Sequence, residues 1–301
     1  MKKLILLSAL LIFSCSSDDS SDSDSNNNDN TTTEKRISQM GIHSIQSCDD
    51  IEYSSTHLRT DSLIVSYSNQ DFSFLQRTFE YDCGENEWYV NDYDFWYDVN
   101  VTRIGDNLIT DWQIIDDNNS NEGFTDEFPL NNDGYIENIM YDNSLLSFEY
   151  NNGYLSQINS DNVVSIYTWQ NNNLQNITQN GVVGDFEQVT YNFDYGEILN
   201  KSNLFGGFDY WGNFAENNIF DPLFGKFCGN PSSNLPTKIT RQRNDTWLGS
   251  DTATFDYEYT LDNEGYVMFI TISLNIIYNH TGNNFEGEFN RQWTLEFEYT
   301  N

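Results

Sequence analysis

Residues 132–139 read Asn-Asp-Gly-Tyr-Ile-Glu-Asn-Ile, and residues 151–158 read Asn-Asn-Gly-Tyr-Leu-Ser-Gln-Ile. More divergent copies follow at 171–177 and 263–270. Gly or Asn in the third position supplies the positive φ of a tight turn, and the aromatic and aliphatic residues after it begin a returning strand. The glycines of the first two copies are 19 residues apart, which is the length of two strands with their turns. The repeat therefore predicts consecutive β-hairpins.

The rest of the chain alternates apolar and polar residues. In 255–259, Phe, Tyr and Tyr alternate with Asp and Glu, and 293–299 repeats the pattern with Trp, Leu, Phe and Tyr. Antiparallel sheets with one solvated face have this period of two. Aromatic residues make up 16 % of the chain and proline occurs only four times. We expect an all-β fold, an antiparallel meander of about 12–16 strands, strongly curved or barrel-like.

One stretch interrupts the alternation. Between Gly196 and Pro236 the pattern stops, while aromatic residues, Tyr210 and Trp211 among them, remain frequent. Long loops inside a compact domain are usually functional or disordered, and this aromatic content favours an ordered segment. We therefore expect residues 196–236 to form one irregular insertion that caps or plugs one end of the sheet.

The N-terminus resembles that of a bacterial lipoprotein. Two lysines precede the apolar run 4–13, which has signal-peptide length and is too short to span a bilayer. Residues 12–15, Ile-Phe-Ser-Cys, resemble a lipobox, in which the cysteine is acylated after cleavage. This resemblance implies a signal peptide over 1–14, lipidation of Cys15 and attachment to the outer-membrane lipid bilayer through the acylated cysteine.

A polar segment follows the cysteine. It contains no large apolar residue before Ile37, so we expect 15–37 to be a disordered, acidic tether and 38–301 to form a single β-rich domain. The pair Asp18-Asp19 resembles the export signal of Bacteroidota surface lipoproteins. That resemblance implies a lipid-anchored outer-membrane protein on the cell surface; an anchor that faces the periplasm is the alternative.

The net charge restricts the partners. The formal charge is −34, with 47 acidic residues against 13 lysines and arginines. A field of this sign repels nucleic acids and anionic headgroups, so no nucleic-acid partner is expected.

The hairpin repeats resemble the YD-type repeats of Rhs proteins. Over roughly residues 40 to 301, including the stretches 223–225 (Leu-Phe-Gly) and 232–239 (Ser-Ser-Asn-Leu-Pro-Thr-Lys-Ile), the chain resembles a Bacteroidota outer-membrane lipoprotein family with a porin-like β fold. The resemblance implies an architecture and a location, because that family has no established activity.

The cysteines that could form disulfides are odd in number. Besides Cys15 there are Cys48, Cys83 and Cys228, an odd number in an oxidising compartment. One disulfide and one free thiol are expected. Cys48–Cys83 closes the shortest loop, although the sequence does not fix the pair.

A carbohydrate platform is the first candidate site. On a strand predicted over 87–99, indoles and carboxylates share one face, where rings stack on sugars and acids accept hydroxyl protons. The alternative is a strand that packs against the tether or the cap. The residues of this candidate, with two aromatic residues of the insertion, are Trp88, Asp92, Asp94, Trp96, Asp98, Tyr210 and Trp211.

Metal binding and catalysis have weaker signals. The turn after Asp116 and Asp117 is rich in oxygen ligands, which favours calcium, although the EF-hand glutamate is missing. A solvated acidic loop is the alternative, and no other cofactor is expected. No nucleophilic triad or phosphate loop occurs.

The sequence thus favours a non-enzymatic surface lipoprotein that binds a ligand, with a glycan as the first hypothesis. Two alternatives remain. The first is a structural or envelope-assembly component that docks an outer-membrane protein, and the second is a carbohydrate-active enzyme, which would need a close pair of carboxyl groups.

Overall fold

The structure is a computed structural model of the 301-residue chain. It describes residues 36–44, 57–68, 71–82, 87–89, 96–115, 121–141, 144–160, 163–183, 186–202, 204, 227–245, 249–279 and 286–300.

These residues form seventeen β-strands: β1 Arg36–Ser44, β2 His57–Ser68, β3 Asp71–Asp82, β4 Glu87–Tyr89, β5 Trp96–Ile104, β6 Asn107–Ile115, β7 Asn121–Pro129, β8 Asn138–Tyr141, β9 Ser144–Asn151, β10 Tyr154–Asn159, β11 Val163–Gln170, β12 Asn173–Val183, β13 Phe186–Leu199, β14 Asn234–Asp245, β15 Gly249–Leu261, β16 Val267–Asn279 and β17 Glu286–Thr300.

The strands form one antiparallel sheet that closes on itself. Consecutive strands pair, and β1 pairs with both β2 and β17. Because β4 and β5 pair with different parts of β3, the 17 strands occupy 16 positions around the ring. The predicted all-β, barrel-like antiparallel meander is therefore confirmed.

The expected strand over 87–99 is two strands. Glu80 pairs with Tyr89, whereas Gln76 pairs with Tyr97, so three residues of β3 lie opposite seven of the other chain segment. A continuous ladder matches residues one to one, and this excess separates β4 from β5.

The repeat forms the predicted tight turns. Gly134, Gly153 and Gly265 have φ of 81°, 79° and 89°. In the copy 171–177 the turn lies one residue earlier than the third position, because Asn172 has φ of 60° and Asn173 begins β12. Asparagine replaces glycine in the third copy because it tolerates this region better than other residues with a side chain. The turns between β7 and β8, β9 and β10, β11 and β12, and β15 and β16 all lie at one end of the barrel, which we call the closed end.

Alternation along the strands separates an apolar inner face from a polar outer face. On β15, Ala253, Phe255 and Tyr257 are buried, while Asp256 and Glu258 are exposed. The buried apolar side chains form one core. A round barrel of this strand number encloses a channel, so burial of the inner side chains requires a flattened or filled barrel.

The wall is low and incomplete beside β7. Strands β8 to β11 contain 4, 8, 6 and 8 residues, whereas β13 to β17 contain 12 to 15. Between the described residues of β7 and β8, the bridge Leu130–Ile136 and the hydrogen bond from Glu137 N to Pro129 O (2.8 Å) replace a ladder. We call this place the β7–β8 seam.

The described flanks of the predicted cap cross the closed end. Ile136 N donates to Phe227 O (2.7 Å), Asn230 N to Gly153 O (2.7 Å) and Ser233 N to Asn172 O (2.9 Å). Three hairpin turns are thus tied to one segment. Residues 205–226 lie outside the described residues, so the cap itself remains a prediction.

Aromatic donors fasten the same end. On six strands, β2 and each odd-numbered strand from β9 to β17, a buried or half-buried ring donates a hydrogen bond to a carbonyl in or just before the preceding paired strand. The pairs are Tyr67–Ile37, Tyr150–Ile136, Trp169–Leu155, Tyr195–Leu174, Tyr259–Pro236 and Tyr299–Val267, at 2.6–2.8 Å. Each bond satisfies a carbonyl at the point where the wall meets the flanks.

Two further observations concern the chain as a whole. β1 begins at Arg36 and Ile37 is buried, so the folded domain includes two residues that were expected in the tether. Within the part of the chain that the structure describes, no helix has the length and hydropathy needed to cross a membrane.

Candidate functional site

Two stacked aromatic rings lie on the inner face of the β6–β7 hairpin. Trp112 and Phe124 are cross-strand partners, and their ring centroids are 5.6 Å apart with an angle of 9° between the planes. The other neighbour of Trp112 is Val99, which is fully buried. The stack therefore has one side fixed against the core.

A carboxylate stands beside the stack. Asp126 is two residues from Phe124 on the same face of β7, and its cross-strand partner is Thr110. Burial raises the pKa of Asp126 above its ordinary value of 3.8. The Trp112 indole donates its N–H to Thr110 Oγ1 at 3.0 Å. This bond fixes the orientation of the indole ring.

The stack is accessible because the wall is low at this point. Phe124 faces inward, yet 47 % of it is exposed. Beside this ring, the described residues of β8 are Asn138–Tyr141, and the described pairing of this region with β7 consists of the Leu130–Ile136 bridge and the hydrogen bond from Glu137 N to Pro129 O.

This arrangement suits a small polar ligand that has one apolar face. Ligand sites combine aromatic surface with a few fixed polar groups. Here the stack provides a flat surface, and Asp126 provides an acceptor on the same face of the hairpin. We call Trp112, Phe124 and Asp126 the rim site.

A second polar group is buried in the wall. Asp251 on β15 contacts two guanidinium groups of β14: Arg243 Nε at 2.8 Å and Arg241 Nη2 at 3.3 Å. Arg241 and Asp251 are only 4 % and 3 % exposed. Gln179 and Ser165, which hydrogen bond to each other at 3.3 Å, lie in the same cross-strand row as Arg243 and Asp251. This closely packed group has the character of a structural network.

Most predicted site residues lie outside what the structure describes. Asp98 is described: it is half-buried and pairs with Gln113, on the face opposite to Val99 and Trp112. Trp88 and Trp96 belong to β4 and β5, but their side chains are not described. The other members of the two aromatic candidates, Asp92, Asp94, Tyr210 and Trp211, are outside the described residues, as are the lipidation site Cys15, the calcium candidates Asp116 and Asp117, and the disulfide candidates Cys48 and Cys83.

Cys228, the remaining cysteine, is buried and does not contribute to the surface. Cys228 is a free thiol, and burial raises its pKa to about 12. Such a thiol is neutral and unreactive at physiological pH. Among the described residues, no group of three or more His, Cys, Asp or Glu side chains could hold a metal ion.

The rim site was missed although the sequence contains its signal. Leu108, Thr110 and Trp112 alternate before the 116–120 turn, and Phe124, Asp126 and Phe128 alternate after it. Pairing the two runs as a hairpin would have placed the rings opposite each other. The sequence pattern of residues 116–120 instead favours a calcium loop or a solvated acidic loop.

Comparison with known proteins identifies a similar fold. The chain is similar to the crystal structure of a porin-like protein from Bacteroides uniformis, with a TM-score of 0.59 over 87 % of this chain and 96 % of that chain. The two sequences are 17 % identical, so the similarity concerns the fold alone. No protein-family model and no curated protein sequence matches the chain.

Proposed function

We propose that this chain is a lipid-anchored, non-enzymatic binding protein of the outer membrane, and that its ligand is a neutral glycan held at the rim site. The observation that carries the proposal is the stacked pair Trp112–Phe124 with Asp126 beside it at an accessible rim. Neutral sugars fit this site better than acidic ones, because the formal charge of −34 repels anions.

The polar outer wall supports a barrel that stands in water. Outward residues of adjacent strands form rows such as Thr168, Asn176, Asn192, Thr240, Thr254 and Asn275. On β12 to β17, the described outward residues are polar apart from Phe269, Ile277 and the strand-end residues Leu199 and Leu261. A barrel that spans the outer membrane presents an apolar band to lipid. Attachment through Cys15 therefore fits this wall better than insertion of the strands.

Substitution at the rim site tests the ligand. We expect the wild-type chain to bind neutral glycans on an array. Trp112→Ala should weaken that binding by roughly tenfold or more, because a central aromatic contact is lost. Asp126→Asn should weaken it less. Binding should fall as the pH drops through the raised pKa of Asp126, since the protonated acid loses acceptor capacity.

Matched variants identify the site. Phe269→Ala removes a half-buried outward ring from β16 and should leave binding unchanged. Trp88→Ala combined with Trp96→Ala tests the platform that the sequence suggested. Loss of binding in that variant but not in Trp112→Ala would assign the glycan to β4 and β5, and an array without any bound glycan would refute glycan binding.

The anchor has its own test. The full chain should incorporate labelled palmitate in the bacterium, and Cys15→Ala should abolish the label. Protease added to intact cells should then digest the barrel domain if the anchor lies in the outer leaflet.

Docking of an outer-membrane protein is a second candidate, favoured by one observation. Met140 and Leu145 are cross-strand partners on the outer face beside the β7–β8 seam, and both are exposed. An exposed apolar pair next to an incompletely paired strand suits a protein contact. Crosslinking that yields a stoichiometric protein partner, lost in the Met140→Gln/Leu145→Gln variant, would favour this candidate over the glycan.

A further inference from the structure

The folded domain meets its N-terminal segment at the closed end of the barrel. β1 starts there at Arg36, whose partner Thr300 ends β17. Between Cys15 and Arg36 lie only 21 residue steps. The disordered tether that the sequence predicts would have a root-mean-square extension of about 25 Å over that length. Once Cys15 is acylated, the closed end is the part of the barrel nearest to the bilayer.

The opposite end is held farther away. β17 contains 15 residues, which is about 50 Å along the strand and about 40 Å along the axis of a barrel with tilted strands. A tether whose root-mean-square extension is shorter than the barrel brings the opposite end to the same surface only when it is strongly stretched. The geometry thus gives the barrel a preferred direction on its membrane.

Three exposed aliphatic side chains stand on the rim of the closed end. Ile104 ends β5, Leu199 ends β13 and Leu261 ends β15, with 63 %, 58 % and 37 % of their surfaces exposed. β5 and β13 are eight positions apart in a ring of sixteen, so Ile104 and Leu199 lie on opposite sides of it. Contacts on these two opposite sides would hold the closed end flat against a surface.

Basic side chains accompany these residues. Among the side chains that the structure describes, the exposed lysines and arginines are Arg36, Arg103 and Lys201, and all three lie at the closed end. Arg103 precedes Ile104, and Lys201 is two residues after Leu199. Apolar side chains flanked by bases are typical of surfaces that contact lipid headgroups. Asp106, Asp133 and Glu264 share this end, and the net charge of −34 repels anionic lipid at a distance. The bases would therefore act on headgroup phosphates only at contact, within a Debye length of about 10 Å or less.

We propose that the closed end is a membrane-docking surface, and that Ile104, Leu199 and Leu261 rest in the headgroup region of the bilayer that carries the anchor. The proposal rests on the acylation of Cys15 that belongs to the proposed function. Weak contacts suffice, because the tether holds the rim at a high effective concentration near the lipid. The rim site, located where the wall is low at the opposite end of β7, then faces away from the membrane.

Environment-sensitive labels on the full, acylated chain test the proposal. Ile104→Cys and Leu199→Cys carry the dye NBD, and Ile166→Cys is the matched control, an exposed isoleucine (42 %) on the wall of β11. The proteins are reconstituted in vesicles of phosphatidylethanolamine with phosphatidylglycerol. We expect emission at 104 and 199 to roughly double and shift to the blue, since the dye leaves water, and headgroup nitroxides to quench it. The dye at 166 should remain water-like.

The outcomes separate the anchor from the docking. Palmitate incorporation with water-like dyes at 104 and 199 would overturn the docking surface and leave the anchor intact, whereas a lack of palmitate incorporation would overturn both. The unsubstituted chain, treated with the dye in parallel, measures labelling at the native cysteines. Arg103→Ser in the Ile104→Cys background should reduce the dye response in these vesicles and change it little in phosphatidylcholine without phosphatidylglycerol.

Discussion

Asp251→Ala should destabilise the barrel by about 3–5 kcal/mol, because it removes the carboxylate that two buried or half-buried guanidinium groups contact. Arg243 is the direct cross-strand partner of Asp251, and Arg241 lies in the next inward-facing position, opposite the fully buried Ala253. The acid is thus enclosed by its own strand pair, and its removal takes this carboxylate away from the buried charge of Arg241. The midpoint of urea unfolding, followed by tryptophan fluorescence, gives the change in the free energy of unfolding.

Two variants isolate the ionic contribution. Asp256→Ala removes an exposed aspartate from the outer face of the same strand, and its effect should stay within about 0.5 kcal/mol. The triple variant Arg241→Met, Arg243→Leu, Asp251→Leu replaces the network by apolar side chains and should recover most of the lost stability. If Asp251→Ala costs no more than Asp256→Ala, the buried network is not a determinant of stability.

The architecture was predictable because its signals are local. Asn-Gly and Asn-Asn turns fix φ within two residues, and the alternation in 255–259 assigns each side chain to a face without knowledge of distant strands. About 12–16 strands were expected, and the ring has 16 strand positions. Closure of the ring depended on β1 pairing with β17, residues that are far apart in sequence, and no local pattern encodes it.

The candidate site was less predictable because it depends on what is missing from the wall. Phe124 is 47 % exposed beside the β7–β8 seam, where the described pairing is the Leu130–Ile136 bridge instead of a ladder. The spacing of Trp88 and Trp96 predicted one strand with both indoles on the same face. The segment instead forms two strands, β4 and β5. Arg241 and Arg243 follow Ile239 at every second position of β14. Alternation alone therefore places both side chains on the inner face.

Gly229→Ala should cost about 2–5 kcal/mol through backbone strain and overpacking. The φ of Gly229 is +105°, and an added Cβ would lie 2.8 Å from Gly153 O and 3.1 Å from Leu155 N. Both are backbone atoms of a tight hairpin, so they have little freedom to move. The adjoining bond from Asn230 N to Gly153 O (2.7 Å) would stretch or break, and with it one tie between the flank of the insertion and the wall.

Gly105→Ala is the matched control, because Gly105 also has positive φ (+63°) but nothing within 4 Å of an added Cβ. Its cost should be the strain alone, about 1 kcal/mol. Amide hydrogen exchange then locates the damage. In Gly229→Ala, the amides of Asn230 and Leu174, which bond to Gly153 O and Ser232 Oγ, should lose protection before those of β15 and β16. Equal costs for the two alanines would mean that the flank shifts freely over the 151–154 hairpin. The closed end would then be held by the aromatic donors rather than by the segment that crosses it.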